Sequence, residues 1–170
     1  MATGSTLTGR TTPTLAPRLI DYLSPGAPAL MLTTGADGYA GSAYTWVVAM
    51  DDRRLRFGVD LGSSSLENLR RISLVSIQII GPGDVSFLVK GEARPVKERI
   101  DAAAPASVML WEMAVVVAKD QSWPGGATTA LAYEWPAAQR EAMLKMEQAV
   151  YAEMRDFAPP PPIQTTRAAG

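Results

Sequence analysis

From Leu55 to Val75 the chain reads LRFGVDLGSSSLENLRRISLV, and its polarity changes period once within that stretch. Leu55, Phe57 and Val59 alternate with Arg56, Gly58 and Asp60, the period of a half-buried strand over Leu55 to Asp60. Beyond Gly62 and the run Ser63-Ser64-Ser65, the apolar residues Leu66, Leu69 and Ile72 fall three apart. That spacing, a serine cap and Glu67 in the first turn predict a short helix over Ser65 to Ile72. Amides at such a helix start, with serine hydroxyls, form a neutral, polarised cradle suited to a phosphate; a capped turn that needs no ligand is the alternative.

The same punctuation divides the rest of the chain. Pro17 opens a short helix with Leu19, Ile20 and Leu23 on one face. Ala29 to Thr34 and Tyr39 to Met50 read as a hairpin around Gly35-Ala36-Asp37-Gly38, and Asp51 to Arg54 reverses the chain into the strand already described. Ser73 to Gly81 and Val85 to Val96 are two further strands about Pro82-Gly83-Asp84, the second interrupted by Gly91, which marks a bulge or a close backbone approach. Met109 to Lys119, with Val115-Val116-Val117, is the sixth strand, buried on both faces or at a subunit contact. Pro136 to Phe157 is the longest helical pattern: Met143, Met146, Val150, Met154 and Phe157 share one face, and Glu141 stands four residues before Lys145 on the other. A methionine-rich stripe of this kind is core or a subunit contact.

These elements predict a mostly β fold with peripheral helices, a six-stranded antiparallel split β-barrel. Residues 1–14 are expected to be a mobile lead-in, 15–157 the single barrel domain with its C-terminal helix, and 158–170 a Pro-rich mobile tail. At 170 residues and 47% hydrophobic, one substantial core is the natural reading. The near balance of 16 basic and 17 acidic residues argues against a nucleic-acid partner. Neither a signal-peptide run nor a membrane-length apolar stretch is found, so no membrane is implied and a cytoplasmic location is expected. The chain has no Cys and no His. Thiol nucleophiles, disulfides, imidazole or thiolate metal sites and histidine acid–base chemistry are therefore excluded, and chemistry must come from a cofactor or from carboxylates, Tyr, Lys or Arg.

Two segments resemble the pyridoxamine 5′-phosphate oxidase-like, FMN-binding split barrels. Phe57 to Val75, with Asp60-Leu61-Gly62-Ser63, is similar to the family's aromatic-ended strand, Asn-Leu-Gly-Ser turn and short helix; Val89 to Val96 is similar to its Gly-x-Ala segment. The resemblance runs over roughly Leu19 to Val117. It implies an FMN ring against Tyr44, Thr45 and Trp46, with Val59 and Asp60 beside the ribityl chain and Ser86 contributed from a partner subunit. Ser63, Ser64, Ser65 and Asn68 would meet the phosphate. Tyr44 and Trp46 as barrel core, and Asp60 as a turn residue, are the alternative readings. Positions that are basic in the true oxidases are similar to Ala43, Val48, Ser64 and Ser65 here, and the oxidases' histidine-containing C-terminal segment has no counterpart. The resemblance therefore points to the flavin reductase-like outer members: an FMN-dependent oxidoreductase of an unknown small substrate, with no metal. A barrel free of cofactor, or one holding a deazaflavin or haem, is the alternative. A homodimer is expected, with an interface near Phe87 to Val89 and Met109 to Val117.

Overall fold

The computed structural model describes residues 10–160. The expected lead-in and tail lie largely outside them. In chain order the elements are β1 (Thr11–Thr12), α1 (Pro17–Leu23), β2 (Ala27–Thr34), β3 (Ala40–Ala49), β4 (Arg54–Asp60), α2 (Ser64–Arg71), β5 (Leu74–Ile80), β6 (Ser86–Lys97), β7 (Val108–Asp120) and α3 (Arg140–Asp156). One 3-10 turn, Asp101–Ala103, precedes β7.

Strands run in the order β7-β4-β3-β2-β5-β6, every pairing antiparallel, and β6 pairs back onto β7. The sheet is thus a closed six-stranded barrel, as the turn-punctuated pattern predicts. β1 is a short addition on β7, Thr11 opposite Lys119. Alternate residues fill the interior, among them Met31, Val47, Phe57, Ile77, Phe87, Val89 and Met113. Gly91 sits at a register shift in the β6–β7 ladder. A Cβ there would stand 2.1 Å from the Ala114 carbonyl oxygen, so the residue is Gly because two backbones touch.

β4 departs from simple alternation, because Arg56 is as buried as Leu55 and Phe57. The reason lies outside the barrel, where α3 and the 3-10 turn cover the outer faces of β4 and β7. Val48, Ile100, Val108, Leu110, Val150, Tyr151 and Met154 make a second apolar cluster there. Arg56 survives burial by pairing with Glu112, Nε to Oε2 3.0 Å, and by donating to the carbonyls of Met154 and Phe157, both 2.7 Å, at the end of α3.

The final helix is shorter than its sequence pattern. Residues 136–139 form a turn closed by the Gln139 amide on the Pro136 carbonyl, 2.9 Å, and α3 starts at Arg140. Its methionine stripe is core only in its second half: Val150 and Met154 are buried, Met143 and Met146 only partly. The expected Glu141–Lys145 pair is present at 2.8 Å. Phe87 and Val89 point into the barrel, and Met109 to Met113 are buried within the chain, so only the outward members of the expected interface, such as Leu88 and Val116, remain available. Among the described residues no helix is long and apolar enough to cross a membrane.

Candidate functional site

β3 pairs with β2 from Ala40 to Val47, yet with β4 only from Val47 to Ala49. Over Ala43 to Trp46 the two neighbouring strands therefore part, while Gly58 to Asp60 of β4 stay laddered to β7. This split opens a groove of about 440 Å³, within the range of small-molecule and cofactor sites. Met31, Ala43–Trp46, Gly58, Asp60 and Val108 form its floor, Ser63 and Ser65 one side, and Tyr133–Trp135 the other. The Thr45 hydroxyl donates to the Gly58 carbonyl, 2.7 Å, holding the strands together where the ladder has ended. Gly58 itself leaves room: a Cβ would come within 2.8 Å of Val108.

On the first side, α2 begins beneath a complete serine cap. Ser63 Oγ accepts from the Leu66 amide, 3.2 Å, and donates to the Asp60 carbonyl, 2.8 Å. The amides of Ser64 and Ser65, in the first turn of α2, have no partner among the described residues. Neither does the Ser65 hydroxyl, although the residue is only 5% exposed and lines the groove. Ser64 is exposed and outside the lining.

The second side is aromatic and built from distant parts of the chain. Trp46 Nε1 donates to the Tyr133 hydroxyl at 2.9 Å and lies 3.4 Å from Glu147 Oε1, and the Tyr133 hydroxyl in turn donates to Glu147 on α3. Tyr44 meets Tyr133 edge to face with centroids 5.8 Å apart, and Tyr133 meets Trp135 likewise at 5.5 Å. Burial, reinforced by the hydrogen bond to Glu147, pushes the Tyr133 phenol well above its ordinary range. The indole Nε1 of Trp135 is buried without a hydrogen-bond partner.

Of the residues singled out in the sequence, Tyr44, Thr45, Trp46, Asp60, Ser63 and Ser65 come together around the groove. Ser64 stands one position away. Val59 is 1% exposed and packed in the barrel core. Asn68 is turned to Thr33, its amide donating to the hydroxyl at 3.0 Å. Ser86 opens β6, opposite Ile80, and is not among the lining residues. Sequence reasoning missed Tyr133, Glu134, Trp135 and Glu147. The first three lie in an irregular segment with no period to read, and Glu147 sits on the face of α3 that its pattern marks as polar. Among the described residues no cluster of acidic side chains is arranged to hold a metal ion.

The sequence matches no protein-family model and no curated protein. Solved structures of the pyridoxamine 5′-phosphate oxidase type are among those that resemble the chain. One is a Lactobacillus delbrueckii protein described as a candidate pyridoxamine 5′-phosphate oxidase: 16% identity, 63% of this chain and 94% of that one, TM-score 0.49. An F420 reductase is similar at 16% identity, 55% of this chain and 88% of that one, TM-score 0.45. HutZ, a haem storage protein from Vibrio cholerae, is similar at 12% identity, 58% of this chain and 85% of that one, TM-score 0.44.

Proposed function

We propose that the groove binds FMN and that the chain is a flavin-dependent oxidoreductase acting on a small substrate. The observation that carries this reading is the Ser65 hydroxyl, on a residue only 5% exposed that lines the groove, at the start of α2 beside two free amides and across from an aromatic wall. That donor set fits a phosphate held by neutral groups and a helix start. The unsupported edge of β3 over Ala43 to Trp46 suits a planar ring rich in acceptors and donors.

A flavin, when bound, supplies hydride or single-electron transfer. The chain's own residues bind, orient and enclose. Ser64 and Ser65 amides with the Ser65 hydroxyl would hold the phosphate, Tyr44 and Trp46 would flank the ring, and the Tyr133–Trp135 segment would limit water. Tyr133, like any tyrosine, keeps its proton at neutral pH, and burial with Glu147 opposes its ionisation further, so the groove presents a neutral phenol. A homodimer completes the reading: Leu74 and Val116, 58% and 62% exposed, lie with Leu32 on the outer wall of the barrel, bordered by Lys90 and Glu92, and a second copy would cover them.

The test is the absorbance spectrum of the purified protein, followed by calorimetric titration with FMN and riboflavin. The expected result is FMN binding that weakens several-fold in Ser65→Ala, with riboflavin little changed. A colourless protein that takes up no FMN would overturn the reading in favour of a barrel without a flavin.

A further inference from the structure

The two sides of the groove differ in charge character. Toward α2 it offers amides and a hydroxyl. Toward α3 it offers four aromatic rings, Tyr44, Trp46, Tyr133 and Trp135, and no Lys or Arg is among its lining residues. Behind those rings lies Glu147, 8% exposed, which accepts hydrogen bonds from Tyr133 and Trp46. A carboxylate that accepts from a phenol O–H and an indole N–H pushes electron density into both rings and deepens the negative potential of their faces. Glu134 stands at the mouth, 88% exposed, and its 3.6 Å contact with Arg140 is a solvent-exposed pair of little strength. Tyr44 and Tyr133 are 53% and 36% exposed, so their rings can be reached from solvent.

We propose that this aromatic side of the groove is a binding site for an organic cation whose charge is shielded by alkyl groups or delocalised over a ring, a quaternary ammonium or an N-alkylated heteroaromatic nitrogen. Such a cation sheds its weak hydration readily and gains the faces of electron-rich rings, whereas an anion on this side would meet Glu147 and Glu134. The inference deepens the flavin reading by giving the charge class of the co-substrate, and it rests on that reading only for the redox role of the cation.

The experiment titrates the full chain, with and without FMN, using choline and its uncharged carbon isostere 3,3-dimethylbutan-1-ol, followed by calorimetry. Choline is expected to bind at least about tenfold tighter than the isostere. Glu147→Gln, which keeps shape and a hydrogen-bond acceptor but removes the charge, is expected to shrink that preference several-fold. Trp135→Leu, which removes one of the four rings, is expected to weaken choline several-fold and to leave the uncharged isostere little changed. Equal affinity for the two probes, or no choline binding at millimolar concentration, overturns the proposal. A chain that binds FMN but not choline keeps the flavin reading and loses this one; a chain that binds choline but not FMN does the reverse.

Discussion

Tyr133, in the irregular segment after β7, donates its phenolic hydrogen to Glu147 on α3, and this single bond ties the aromatic wall of the groove to the outer helix. Its partners are distant in sequence from the third member, Trp46, whose indole reaches the same phenol at 2.9 Å. Tyr133→Phe removes a hydroxyl that both donates and accepts, leaving Glu147 under-satisfied in a nearly closed site. The expected loss is about 1–3 kcal/mol in urea unfolding. Because burial and then Glu147 raise the folded phenol above its ordinary range, the unfolded chain releases its proton first, near pH 10. Wild-type stability should therefore fall as pH rises through about 10, and the Phe variant should show a shallower alkaline decline. An unchanged alkaline slope would mean that the Tyr133 bond is not formed in solution.

At the other side of the groove, Ser64 is exposed in the first turn of α2, whereas Ser65 is 5% exposed. A charge is thus tolerable at the first position and costly at the second. Ser64→Arg should tighten FMN binding by roughly tenfold, one charge-assisted hydrogen bond reduced by solvent exposure, and should steepen its salt dependence. Riboflavin affinity should stay within error. Equal gains for both ligands would show a general charge effect and not a phosphate contact.

Glu112 on β7 lies opposite Arg56 in the ladder and receives Arg94 as well, Nη2 to Oε1 3.0 Å. Burial alone would raise its carboxyl pKa, but hydrogen bonds from Arg56 and Arg94 and their charges outweigh it and hold the group below the ordinary carboxylate range. The unfolded chain therefore takes up the proton first as pH falls, so this contribution is complete at neutral pH and is lost on acidification through and below about pH 4. Glu112→Gln leaves Arg56 buried without its counter-charge. It should cost about 3–5 kcal/mol at pH 7, and the gap to wild type should narrow as pH is lowered toward about 3. Denaturation curves across that range decide the matter.

Gly91→Ala places a methyl group against the Ala114 carbonyl oxygen, where the separation would be 2.1 Å. Backbone must move, and the β6–β7 seam that closes the barrel must open locally. A destabilisation of about 1–3 kcal/mol or more is expected in thermal unfolding.

For the assembly, Val116→Glu together with Leu74→Glu puts charge on the outer apolar wall without touching the barrel interior. Sedimentation at micromolar concentration should show a dimer for the wild-type chain and a monomer for the variant. A wild-type monomer at that concentration would remove the dimer from the reading.

Local pattern determined much of this molecule. The period-two runs produced strands where expected, the three-apart leucines after the serine run produced α2 one residue from its predicted ends, and Gly91 marked the bulge, because each is a property of neighbours along the backbone. Part of the groove carries a local signal, because Ser63 and Ser65 follow the strand-ending turn at Gly62; Tyr44, Thr45 and Trp46 lie in the middle of β3 and are singled out only by the family resemblance. The opposite wall carries none. Tyr133, Trp135 and Glu147 acquire their place only when the segment after β7 crosses back over β3 and α3 packs on the outer wall. Arg56 likewise looks like the exposed face of a half-buried strand, and nothing in the run around Glu112 shows that the two pair under that helix. Those contacts join residues far apart in the chain, so their energy depends on which surfaces the closed barrel leaves uncovered, and that is decided by tertiary packing and not by any local run of residues.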